Sequence, residues 1–405
     1  MNILQVNTRL SEGGAAQVAR TLEIELGKLG HNSFFLYGYG KSGKLSNQHL
    51  AGSHFKYTKK IYAGINLLIF RFLGREKSLF PYISRRKILK ILKKVDIIHL
   101  HVVHSYFIDF SILISAIIES KLPVVWTFHD EWVLTGRCAN PGSCKLWEMG
   151  CVKCPDLNAY PPAYIDRAHS NFKIKREKIS AVISLPNSRL VTCANWLEEE
   201  MRSAGFSNLT TITNSIDSEF QNALMRKSTK KIGTNIFICR DLRDRQKIDW
   251  ELLLNISNLP NQSLTIVGDF PPVQIDNAKF IPSTSNRAQL ASLMQEHRRL
   301  IFTSRIDTYP LTIVEALTAG LEVYTLKSKA AMEFKNHPRC FLFDNAEELY
   351  NSLEMEGFKS SLKSSKVQEL NFDFSPRRMA LEYEKIYKSL LVTNEIQVTE
   401  WKISS

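Results

Sequence analysis

The sequence predicts an α/β protein made of two doubly wound parallel sheets that face each other across a cleft. Three observations predict it. Short apolar runs of strand length alternate with amphipathic stretches of helix length, which is the pattern of βα units and not of hairpins. The alternation occurs in two sets, and 405 residues are enough for two cores. Glycines and polar residues fall just after the apolar runs, where an open parallel sheet places its binding crevice.

The first set begins with NILQVN (2–7), followed by Gly13 and Gly14, which open a helix over 14–29. Val18, Leu22, Leu26 and Leu29 share one face of that helix, and Gly30 is its stop signal. SFFLYG (33–38), DIIHLH (96–101) and PVVWTF (123–128) continue the set. The second contains NIFICR (235–240), SLTIVG (263–268), KFIP (279–282), RLIFTS (299–304) and EVYTLK (322–327), with helical stretches over 287–296 and 312–319. The expected division is a first domain over 1–213, a second over 214–375, and a C-terminal helix over 376–392 that crosses back to the first.

Residues just after strands are the candidates for function. In the first domain these are Gly13, Gly14, His101, His104, His129 and Asp130. A glycine pair at a helix start brings backbone N–H groups close to a phosphate or a sugar, or simply makes a turn. His129 suits a base or a hydrogen-bond donor, and equally a satisfied core histidine. In the second domain the same position selects Arg240, Arg243, Lys247, Gly268, Asp269 and the stretch from Asp307 to Glu315. Arg243 and Lys247 are suited to clamping a diphosphate. Glu315, near a helix start after Pro310, is suited to accepting from two ribose hydroxyls or to capping its helix.

The formal net charge is +13, and residues 56–94 carry twelve Lys or Arg against one acid, Glu76. Ile88, Leu89, Ile91 and Leu92 lie among those cations at helical spacing, as in a basic interfacial helix or a solvated helix face. An anionic membrane surface is therefore an expected partner. Nucleic acid is not, because the rest of the chain is near neutral and carries no binding module. Neither a signal peptide nor an apolar run of spanning length is read in the sequence, so a cytoplasmic protein peripheral to the inner membrane is expected.

Four of the seven cysteines, Cys138, Cys144, Cys151 and Cys154, fall within 17 residues. In a reducing compartment such clusters bind metal more often than they form disulfides. Cys151-x-x-Cys154 is the chelating half of a structural zinc site; reduced or disulfide-forming thiols and an iron–sulfur cluster are the other readings. Four thiolates would close the coordination sphere, so the expected metal is structural, and no cofactor is expected for catalysis.

Beyond these local readings, the chain resembles a retaining glycosyltransferase of family 4 with the GT-B fold, most similar to exopolysaccharide enzymes of the colanic-acid type. The motifs that carry this are NILQVNTRLSEGGAAQVA, YGYGKSG, HLHVVHSY, WTFHDEWVLTGRCAN, NAYPPAYIDRAH and DTYPLTIVEALTAG, which run nearly end to end. The resemblance implies transfer of a hexose from a nucleotide diphosphate sugar, UDP- or GDP-linked, to a lipid-linked saccharide, without a divalent metal. It implies that Gly13, Gly14 and Gly268 lie against the donor, that His129 touches the donor sugar, and that Arg243 and Lys247 hold the diphosphate. It also implies that Asp307 and Glu315 are the family's paired acids with seven residues between them, the second binding ribose. The chain departs from the family pattern in having Asp307 where a glutamate is usual, Ser215 in the linker Asn214-Ser215-Ile216-Asp217, and Phe270 after Gly268-Asp269. A non-catalytic GT-B subunit of a polysaccharide assembly complex is the alternative class.

Overall fold

The computed structural model describes residues 1–40, 54–75, 82–226, 233–356 and 372–404. Residues 41–43 of the YGYGKSG motif, Glu76 of the basic segment and part of the 212–234 linker lie outside the described residues. The chain divides into two compact units, Met1–Thr213 with Pro376–Ser405, and Asn214–Ser375.

The first unit is built on seven parallel strands: β1 (Asn2–Asn7), β2 (Asn32–Tyr37), β3 (His54–Lys56), β4 (Ile97–Leu100), β5 (Val124–Phe128), β6 (Ser188–Thr192) and β7 (Leu209–Thr211). Their order is β3-β2-β1-β4-β5-β6-β7, so the winding reverses between β1 and β4. Ile3 pairs with Ile97 and Val6 with Leu100 there. Every residue of β4 and β5 is buried, as expected for strands covered on both faces.

The helix after β1, α1 (Gly14–Lys28), is capped by Gly13 at φ 100° and ψ 160°, a conformation open essentially to glycine alone. Leu22 and Leu26 are fully buried on its inner face. The C-terminal helix, Pro376–Ser404, belongs to this unit, and Tyr383 and Tyr387 are buried in it.

The basic segment carries two helices, α2 (Lys60–Leu73) and α3 (Tyr82–Leu92), and α4 (Phe110–Ser120) follows it. Here the reading of α3 as an interfacial helix needs correction. Ile88, Ile91 and Leu92 are buried, because the apolar stripe of α3 is spent on the unit's own core beside α4. The exposed apolar face belongs to α2 instead. Ile61, Leu68 and Phe72 repeat at helical spacing and are each more than half exposed, among Lys59, Lys60 and Arg71.

The second unit has six parallel strands, β8 (Gly233–Asp241), β9 (Leu264–Asp269), β10 (Ala278–Ile281), β11 (His297–Phe302), β12 (Glu322–Leu326) and β13 (Cys340–Phe343). Their order is β10-β9-β8-β11-β12-β13, with the reversal between β8 and β11. Phe237, Leu253, Ile256, Ile266, Ile301 and Leu349 are among its core residues.

Candidate functional site

In each unit most of the residues selected from the sequence follow the carboxyl ends of strands at or next to the winding reversal. In the first unit, β4 and β5 carry three histidines whose rings form a stack. His99 lies 4.0 Å from His101, centroid to centroid, and His101 lies 5.3 Å from His129. His101 Nδ1 is 3.0 Å from His129 Nε2. Burial holds the pKa of His99 and His101 well below the usual histidine value; His129 lowers both further, and His99 also lowers His101. Burial also pulls His129 down, to about 4, with Asp130 opposing. The stack is therefore neutral at physiological pH.

The next loop is anchored beside it. Asp130 accepts from His104 Nε2 at 2.8 Å and from the Trp132 N–H at 3.0 Å. Burial pushes Asp130 upward, but His104 and the Trp132 N–H outweigh it and leave the carboxyl below its usual range. Thr8, at the end of β1, donates to the carbonyls of Val102 and His104 and so fixes the loop after β4. A Cβ on Gly13 would meet nothing within 4 Å, so α1 begins in open space.

The second unit uses charges. Lys247, after β8, donates to Asp307 Oδ1 at 2.8 Å, and Asp307 follows β11, so the pair spans the winding reversal of this sheet. Burial pulls the Lys247 ammonium downward, while Asp307 outweighs this and holds it above its usual value. Thr303 donates to the Lys247 carbonyl at 2.7 Å and positions that loop. Arg287 bridges two carboxylates, Asp217 through Nε at 2.6 Å and Glu315 through Nη2. Glu315 is buried. Arg243 is exposed, paired with Asp241 and laid 4.4 Å over the Phe270 ring. Its hydrogen bonds to Asp241 hold that carboxyl down to about 2.

The Glycosyltransferase Family 4 model matches residues 12–220, about half of the chain. WcaC of Escherichia coli (strain K12), named as a colanic acid biosynthesis glycosyl transferase, is 34% identical over 349 residues, covering 82% of this chain and 85% of that protein. The chain belongs to glycosyltransferase family 4. Among solved structures it is similar to the sucrose-phosphate synthase of Thermosynechococcus elongatus, with a TM-score of 0.62 at 13% identity over 97% of this chain and 99% of that one. A glycosyltransferase from Rickettsia africae ESF-5 gives a TM-score of 0.62 at 15% identity, over 96% and 98% of the two chains. WaaG, a glycosyltransferase involved in lipopolysaccharide biosynthesis, gives 0.57 at 12% identity, over 98% and 99%. At these identities the likeness speaks for the fold alone, which is GT-B.

Within this family 4 glycosyltransferase, the structure brings Gly13 and Gly14 to the winding reversal of the first sheet, places His129 one strand away against His101, and brings Lys247 and Asp307 to the reversal of the second. It shows Gly268 as a packing residue, because a Cβ there would stand 2.1 Å from the Cys239 carbonyl oxygen. Arg243 lies at the surface beside its own aspartate. Sequence reasoning missed Gln5, His99, Tyr383, Tyr387 and Arg287. His99 contacts the Tyr387 hydroxyl at 2.7 Å and Thr127 Oγ1 at 2.8 Å, and Thr127 meets the Tyr383 hydroxyl at 2.9 Å. The C-terminal helix thus supports the histidine stack from below. A buried polar residue inside an apolar strand, such as His99 in IIHL, was the available signal.

The cysteine-rich loop follows His129 directly. Cys138, Cys144, Cys151 and Cys154 line one pocket together with Trp147 and Arg137. All four are free thiols. Burial pushes Cys138 up to about 11, with Arg137 opposing and the other three thiols adding to the rise. Among the described residues no three His, Cys, Asp or Glu side chains are grouped as metal ligands. Buried cations also hold the loop. Arg137 donates to the carbonyls of Pro161, Asp156 and Ala159, and Lys175 donates to the Trp132 carbonyl at 2.7 Å.

Proposed function

We propose that this family 4 glycosyltransferase moves a hexose from a UDP- or GDP-sugar to a lipid-linked saccharide, with retention at the anomeric carbon, in exopolysaccharide, capsule or O-antigen synthesis. The observation that carries the reading is the Lys247–Asp307 pair at the winding reversal of the second sheet. A cation held there by a carboxylate is poised to exchange that partner for a diphosphate, whose charge grows as the sugar leaves. Arg243, exposed nearby in sequence and oriented by Asp241, is a second cation of the same kind. With cations in this role the transfer needs no divalent metal. In the first unit, His129 contributes a polar contact to a substrate oxygen, and Gly13 with Gly14 leaves the start of α1 open to one. The similarity to WcaC, named for colanic acid biosynthesis, supports the polysaccharide context.

Membrane association at the cytoplasmic leaflet is part of this proposal. The exposed Ile61, Leu68 and Phe72 of α2, set among cations, support a peripheral contact with an anionic surface. No helix among the described residues is long and apolar enough to cross a membrane. A structural zinc held by Cys138, Cys144, Cys151 and Cys154 is the remaining part. Their convergence on one pocket supports it, and binding would require the thiols, including the raised Cys138 and Cys151, to ionise and draw together.

The test is a thermal-shift screen of nucleotide sugars, since a ligand that binds only the folded state stabilises it. The expected hit is a UDP- or GDP-sugar turned over in the presence of a chelator, with the product anomer matching the donor's. A protein that binds no donor would instead be the non-catalytic subunit.

A further inference from the structure

Gln5 lies on β1, fully buried beneath the histidine stack, and backbone groups fix which way its amide points. The Ala19 carbonyl can only accept and the Glu23 N–H can only donate. In the orientation that satisfies both, the amide nitrogen faces Ala19 O at 3.0 Å, and the amide oxygen takes the Glu23 N–H at 3.2 Å and the Ser33 hydroxyl at 3.1 Å. The same amide nitrogen then donates to His101 Nε2 at 3.1 Å. A neutral imidazole carries one N–H, so a ring that accepts at Nε2 donates from Nδ1. His101 Nδ1 faces His129 Nε2 at 3.0 Å, and His129 must therefore accept at Nε2 and carry its own proton on Nδ1.

We propose that Gln5 and His101 are positioning residues that fix the tautomer of His129, so that His129 offers an N–H donor from Nδ1 to a substrate oxygen and does not act as a general base. The chain of donors starts at the backbone of α1, which cannot change roles, and ends at the nitrogen left for a ligand. The burial of Gln5 and His101 keeps water from rewriting it. That the oxygen belongs to a sugar or its diphosphate rests on the transferase reading above; the tautomer itself does not.

The test uses the full chain labelled with ¹⁵N-histidine, at neutral pH and without donor. Long-range ¹H–¹⁵N correlation spectra report which ring nitrogen of each histidine carries the proton, and the His101→Asn and His129→Asn variants assign the two rings. The expected spectrum shows both rings protonated at Nδ1 and bare at Nε2. Protonation at Nε2 in either ring, or a doubly protonated ring, would overturn the proposal whether or not any sugar is transferred. Gln5→Glu places an acceptor opposite His101 Nε2, and the protonation pattern of His129 should change; an unchanged pattern in the folded variant counts against the relay. Once a donor is in hand, His129→Asn, whose amide nitrogen stands near the Nδ1 position, should retain at least about tenfold more kcat/KM than His129→Gln. Equal loss in both variants would contradict the donor role.

Discussion

The two units place different chemistry at the same point of the same topology. Beside the reversal of the first sheet, His99, His101 and His129 are neutral; His101 and His129 pair through ring nitrogens, and His99 is held by Tyr387 and Thr127. At the reversal of the second, Lys247 is charged and held by Asp307, and elsewhere in that unit Arg287 is held by Asp217 and Glu315. A neutral network of fixed donors and acceptors presets a direction and needs no counter-ion. A compensated charge presets a field, but a ligand anion has to displace a carboxylate to use it. The first unit is thus built to orient and the second to attract.

Acid should break that comparison most strongly, by charging the neutral side. In the unfolded chain the three histidines titrate near their ordinary value of about 6.5, whereas burial lowers all three in the folded state, His129 to about 4. Between these values the unfolded chain binds more protons, so stability is fully present above about pH 6.5 and declines as the pH falls toward 4. The slope approaches about 1.4 kcal/mol per pH unit for each histidine. Thermal unfolding measured from pH 7.5 to 4.5 should show it, and a His99→Phe variant should show a shallower decline.

On activity, His129→Ala should reduce turnover by about one to two decades while leaving the unfolding midpoint within a few degrees. The basis is loss of one hydrogen bond to a substrate oxygen that strengthens as charge develops in the transition state, worth about 1.5–3 kcal/mol there. Single-turnover kinetics read it directly. On the charged side, Glu315→Ala leaves the partly buried Arg287 with one carboxylate fewer. It should cost about 1–3 kcal/mol of stability in the second unit, less than a fully orphaned buried charge because Asp217 remains. Urea unfolding with a probe in that unit measures it. The smallest effect should come from Arg243→Ala, an exposed residue whose pairing with Asp241 is screened by solvent. Its donor affinity should fall less than that of Lys247→Ala, and the gap should narrow as salt is raised.

Much of the architecture is legible in the sequence because parallel strands buried on both faces read as continuous apolar runs. VVWTF and LTIVGD mark their strands plainly, and the residues that follow such runs include His129 and Lys247. What is not legible is partnership over long separations. The sequence shows Gln5 as one polar residue in NILQVN, without indicating that α1 would lock its amide against His101. It gives no sign that Tyr387 would lie against His99, 288 residues away. Periodicity identified the apolar side of α3 correctly and could not say whether that side meets a membrane or the core, since both satisfy it equally.

The division into orienting and attracting halves is tested most directly by the calorimetric affinity of the bare nucleoside diphosphates, UDP and GDP, for the wild type, Lys247→Ala and His129→Ala. Lys247→Ala should weaken binding of the preferred nucleotide at least about tenfold, the loss of one charge-assisted contact. His129→Ala should change it by no more than about twofold, because the neutral stack contributes direction and not attraction. Equal weakening in the two variants, or no binding of either nucleotide by the wild type, would contradict the account.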